Sequence, residues 1–198
     1  MNNPEGTKKF LSGLKPEAVP TKPVPFLSVI ATTNLDALDS KKTSDCFPKS
    51  RYVYRDGDLD NWLPTNQPKA DACVVTTLAI SQDWTFAEAA AKVLGVGAGS
   101  GVKFLGEALI ANGHTMKSLA QVEEMVEATE RGDKTMMRTD GYGNFAFVET
   151  GDPENPVSVG NVFRGGRGWD ARVGRLGRDD RWDADNRLLV RNLDASKL

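Results

Sequence analysis

Asp71-Ala72-Cys73-Val74-Val75-Thr76-Thr77-Leu78-Ala79-Ile80 is the stretch whose reading decides the fold. A polar residue leads straight into an apolar run. Asp71 has the chemistry of a helix N-cap, because its carboxylate can accept amide hydrogens from a first turn. Val74, Val75, Leu78 and Ala79 fall at offsets that share one helical face, and Ile80 widens it. The spacing predicts a helix over about 72–82, apolar round most of its girth and so central to a domain. Cys73 would then sit in the first turn. A helix N-terminus favours the thiolate, the form that attacks carbonyls. Function on this reading depends on whether Cys73 has a proton-accepting partner.

Working outward, the 198 residues suffice for one domain with an arm or for two small ones. The net charge of −2 argues against a general binder of nucleic acid or acidic membrane, and no nucleic-acid partner is expected. No apolar run approaches the ~20 residues of a membrane span. The N-terminal residues lack the apolar core of a secretory signal. A cytoplasmic protein is expected, or one made there and then assembled. Cys46 and Cys73 belong to no Cys-x-x-Cys pair, so neither a metal site nor a cofactor is indicated.

Residues 1–50 read as an extended arm, interrupted by Pro4, Pro16, Pro20, Pro23, Pro25 and Pro48. Within it, residues 24–32 have the character of an extended piece lying along another surface. A domain follows over 51–198. Residues 51–55 alternate as a short strand. Thr85 with Glu88, and Ser118 with Gln121, are capping boxes that open helices. Gly95 stops the first of these. A glycine-rich loop leads to a helix over about 102–112, closed by Gly113. From there the period changes to two, with strands expected at 134–139, 144–149, 156–163 and 187–191. Helices followed by strands argue for an α+β domain with an antiparallel sheet.

This order, a central cysteine-bearing helix, then helices, then antiparallel strands, resembles the papain-like cysteine peptidases. The run from Asp71 to Ile80, followed by Thr85-Phe86-Ala87-Glu88, is similar to small phage and bacterial proteins related to the bacteriocin-processing, double-glycine leader peptidases. The resemblance covers about residues 65–165. It implies Cys73 as nucleophile and Gln67, six residues earlier, as a donor to the oxyanion hole. It also implies a histidine at the start of the strand after a tight turn. Here that place is held by Gly143 or Asn144, and neither accepts a proton near neutral pH. One residue, Ala72, also separates Asp71 from Cys73, where the family has the two adjacent.

Each candidate has a plainer reading. Free cysteine is among the most buried residue types, so Cys73 also reads as a small hydrophobe. His114, the one histidine, follows Asn112-Gly113 and reads as a loop or strand-end residue rather than a base. Gln67 reads as a loop glutamine beside Pro68. The loop from Gly95 to Gly101 follows a helix and lacks Gly-Lys-Ser/Thr, so it is no phosphate loop. Asp56, Asp58 and Asp60 have calcium-loop spacing, but the glycine and the last glutamate are missing. Arg164, Arg167, Arg172, Arg175, Arg178 and Arg181 are interleaved with Asp170, Asp179, Asp180 and Asp183, as on a charge-laced surface. Trp169 and Trp182 read as interface anchors or as core.

The resulting expectation is a catalytically inactive papain-like domain in a structural or assembly role, such as a phage virion component. Protein partners would be gripped through residues 1–50. Two alternatives stand beside it: a thiol-dependent peptidase or amidase built on Cys73, Gln67 and His114, and a phage-encoded protein that binds a host factor.

Overall fold

Residues Cys73–Ile80 form a β-strand, not a helix. The structure is a computed structural model and describes residues 26–97, 99–194 and 196. In chain order it has β1 (Leu27–Leu35), β2 (Lys41–Lys42), a 3-10 turn (Thr43–Asp45), β3 (Tyr52–Arg55), α1 (Asp58–Trp62), β4 (Asn66–Gln67) and β5 (Cys73–Ile80). Then come α2 (Phe86–Leu94), α3 (Val102–Ala111), α4 (Leu119–Arg131), β6 (Gly143–Glu149), β7 (Val157–Gly165), β8 (Gly168–Arg175) and β9 (Arg187–Arg191). The α+β class therefore holds.

The main sheet runs β1-β5-β9-β6-β7-β8-β3. It is mixed rather than antiparallel, because β6 lies parallel to β9 and β3 parallel to β8. Both faces are covered. Leu119, Val122, Met125 and Val126 of α4 pack on one face with Leu59 of α1. Ala89, Ala90 and Val93 of α2 and Leu105 and Leu109 of α3 pack on the other.

This double cover explains the misread stretch. Cys73 and Val75 enter the core under α4, while Leu78 and Ile80 enter the core under α2 and α3. A strand buried on both sides shows no polar stripe, so its alternation is invisible and helical offsets are satisfied by chance. The deciding signal was composition. Val74, Val75, Thr76, Thr77 and Ile80 are β-branched, stiff at χ1 and suited to a pleated surface. Val75 and Leu78 are fully buried, each contributing about 1.5–3 kcal/mol relative to exposure.

The expected arm is part of this sheet from Leu27 onward. β1 pairs antiparallel along β5, from Leu27 opposite Ile80 to Leu35 opposite Cys73, with an irregularity between Val29 and Ala31. Cys46 and Phe47 are core residues, and the Phe47 ring meets Tyr52 edge-on at 4.8 Å. The rest of the arm, residues 1–25, lies outside the described residues.

Both capping boxes form. Thr85 donates its N–H to Glu88 Oε2 at 2.7 Å and accepts from Glu88 N through its hydroxyl at 3.2 Å. Ser118 donates its N–H to Gln121 Oε1 at 3.3 Å. Gly95 and Gly132 close α2 and α4 in the left-handed conformation, at φ 68° and 92°. Two strand expectations move. Residues 134–139 are irregular, and the Gly/Arg-rich segment provides the unexpected strand β8.

Candidate functional site

The residues singled out for thiol chemistry lie on separate elements, and each is held by its own hydrogen bonds. Cys73 opens β5 and is 8% exposed. Its sulfur accepts a hydrogen bond from Gln121 Nε2 at 3.2 Å. Gln121 in turn accepts from the N–H groups of Lys117 and Ser118. The thiol therefore meets the first turn of α4 through a neutral amide and does not itself stand at a helix tip.

Gln67 reaches the same turn. Its Oε1 accepts from Leu119 N at 2.7 Å, filling one of the free donors of the helix start. Its Nε2 donates to Thr43 Oγ1 at 2.7 Å and to the Pro64 carbonyl at 3.1 Å. An amide nitrogen has two hydrogens, and both are engaged. Asn144, on β6, is fully buried. Its Oδ1 accepts from Arg138 N at 2.7 Å, and its Nδ2 donates to the carbonyls of Arg138 and Val162. His114 is half-buried, with Nδ1 3.2 Å from the Arg191 carbonyl oxygen. Structure thus brings Cys73 and Gln67 to one helix end and leaves Asn144 pinned to the loop before β6.

Close by, Glu123 of α4 is a nearly buried carboxylate. One oxygen takes Lys41 Nζ at 2.5 Å and the other takes Phe47 N at 3.1 Å. Burial, reinforced by the charge of Glu123, pushes the Cys46 thiol up to about 12. That thiol stays protonated and inert at neutral pH.

The opposite face holds a cleft of about 580 Å³ that sequence reasoning did not find. Gly143 and Phe145 of β6, Val159, Asn161 and Phe163 of β7, and Arg172 and Gly174 of β8 line its sheet side. Trp182 and Asn186, from the loop after β8, line it together with Phe86, Tyr54 and Tyr142. The loop is firmly tied. Asn186 Oδ1 accepts from Gly143 N at 2.5 Å, and Trp84 and Trp182 exchange backbone hydrogen bonds at 3.0 and 2.7 Å. The Trp182 ring stacks on Phe86 at 5.4 Å and tilts against Phe145 at 4.7 Å. Arg181 donates to the Asp83 carbonyl at 2.6 Å and sits 3.4 Å from Glu88. The Thr85 N–H, and behind it the Arg181 charge, hold the Glu88 carboxyl below its ordinary range.

The guanidinium of Arg172 lies over two rings, Phe163 at 4.8 Å and Tyr54 at 5.1 Å. Asn161 is 9% exposed, and its Oδ1 is shut from solvent with no hydrogen-bond partner. The Trp182 indole N–H is orphaned in the same way. The signal that could have found this region was the arginine run with Trp182. Its other contributors come from four separate parts of the chain.

The chain matches no family model, no curated protein and no solved structure. Among the described residues, no group of three histidine, cysteine or carboxylate side chains is placed to hold a metal ion. No described helix is long and apolar enough to cross a membrane.

Proposed function

We propose that this protein works by binding and assembly and that Cys73 performs no chemistry. Gln67 carries the reading: both of its amide hydrogens are committed to Thr43 and Pro64, so it has none to offer a developing oxyanion. The burial of Cys73 and its neutral partner Gln121 support the same conclusion. The likeness to papain-like peptidases supplies no helix-tip thiolate here, since the residues that carry it form a strand. The test is alkylation of the folded protein by iodoacetamide at neutral pH. Neither cysteine is expected to react faster than in a short unstructured peptide. Labelling of Cys73 well above that rate, abolished in His114→Ala, would overturn the proposal in favour of a thiol peptidase or amidase.

An assembly role of the virion kind would draw on residues 1–25. Because β1 begins at Leu27, the truncation that tests this removes 1–25 and stops there. A folded protein of lower oligomeric mass by light scattering is the expected result. An unchanged mass removes the assembly role from that segment.

A further inference from the structure

We infer that the cleft between β6–β8 and the loop bearing Trp182 binds a small anionic ligand with a flat heteroaromatic ring, of the mononucleotide class. The inference rests on the binding role proposed above and names what is bound.

The orphaned amide is the starting point. Asn161 makes no hydrogen bond with either side-chain atom, although it is nine-tenths buried on the central part of β7. Buried polar groups without partners are rare, because leaving one unsatisfied is unfavourable. Other orphaned atoms, such as Tyr52 Oη and Ser158 Oγ, do not line this cleft, whereas Asn161 and the Trp182 indole both do. The backbone beside Asn161 leaves no slack: a Cβ on Gly143 would come within 2.8 Å of Asn161 Oδ1. Glycine at 143 therefore lets the amide lie flat against β6.

A side-chain amide presents a donor and an acceptor side by side. That pattern matches the edge of a nucleobase, as asparagine does with adenine. The apolar part of the lining is mostly aromatic, from Phe145, Phe163, Trp182 and Tyr54. Ring faces favour a flat partner, with stacking or edge-to-face contact. Arg172, Arg178 and Arg181 line the cleft, and they pair with Asp170, Asp180 and Glu88 in partly exposed contacts, weak enough for a ligand anion to compete with. The lining also holds two carboxylates, Asp56 and Asp183, each turned to a backbone N–H of its own loop, that of Asp58 and that of Asp185, so an anion is met on the arginine side of the cleft. Arg172 is positioned by the Phe163 and Tyr54 rings, which limits the ordering needed to meet an anion. The volume of about 580 Å³ lies in the range of small-ligand sites. It suits one nucleotide rather than a strand, in keeping with an overall charge of −2.

The experiment titrates the full chain with AMP, GMP, CMP and UMP, followed by tryptophan fluorescence and by calorimetry. Inorganic phosphate and a single-stranded oligonucleotide serve as comparison ligands. At least one mononucleotide should saturate a single site and change the tryptophan emission, a change that is lost in Trp182→Phe. Asn161→Leu and Arg172→Gln should each weaken it by about tenfold. Arg172 is exposed, so its variant stays folded and keeps the test meaningful if Asn161→Leu does not. Four results would overturn the inference: no mononucleotide saturating below millimolar concentration, phosphate binding as tightly as the nucleotide, the oligonucleotide binding more tightly than any monomer, or affinity unchanged in Arg172→Gln. None of these bears on thiol labelling, so the two proposals fail separately.

Discussion

At the first turn of α4, Gln67, Gln121, Glu123 and Cys73 are all buried, and each has a hydrogen-bond partner. Across the sheet, Asn161 is also buried and Trp182 half-buried, yet each keeps an orphaned polar atom on a residue that lines the cleft. The first region looked catalytic from its residue types and is consumed by its own architecture. The second drew little notice and still has bonding capacity to offer. Residue type alone does not separate the two cases, whereas a census of what each polar atom already touches does.

Gln67→Leu gives the largest effect that would test this contrast. It orphans Leu119 N and leaves Thr43 and the Pro64 carbonyl only the hydrogen bond between them, and a loss of about 2 kcal/mol is expected in urea unfolding. A loss under about 1 kcal/mol would mean that the amide is not structural after all.

Next comes the alkaline limb of stability. The Cys46 thiol ordinarily titrates near 9.0 and is raised to about 12 in the fold, by burial first and Glu123 second. The folded state thus holds its proton more tightly than the unfolded state. The stability this contributes is full below pH 9 and is lost as pH rises toward 12. The slope is at most about 1.4 kcal/mol per pH unit. Tyr52 is displaced in the same direction, again chiefly by burial, and adds to the limb. Cys46→Ala should therefore flatten the limb without abolishing it. An unchanged slope between pH 9 and 12 would show that the thiol is not held in its protonated form.

The smallest effect runs the other way. Asn161→Leu removes a buried amide with no partner and should stabilise the ligand-free protein by about 1 kcal/mol. The same change is expected to weaken binding, so thermal melting and titration should move in opposite senses. Destabilisation would place Asn161 with Gln67 among the structural amides and erase the distinction between the two regions.

How much of this was legible follows the range of each signal. Thr85 with Glu88 and Ser118 with Gln121 are interactions within one turn, and both form as read. β9 and β6 showed through as short apolar runs after turn residues. β5 did not, because burial on both faces erased its alternation and left only β-branching as a guide. β8 was hidden by its glycines and arginines; Trp169, Ala171 and Val173 face the core, while Arg172 faces the cleft. The cleft itself could not be seen. Tyr54, Phe86, Asn161 and Trp182 meet only after strands distant in sequence are laid side by side.

The placement of β9 has a consequence for how the chain is made. β5 already has β1 and awaits a second neighbour, while β6, β7, β8 and β3 form a separate group. The strand that joins the two is residues Arg187–Arg191, which follows all the other described strands in the chain. Until it leaves the ribosome the two halves share no ladder, and their inner edges stay open to pairing with other chains. A stop just before Arg187 would therefore yield two unjoined half-sheets and an aggregating product.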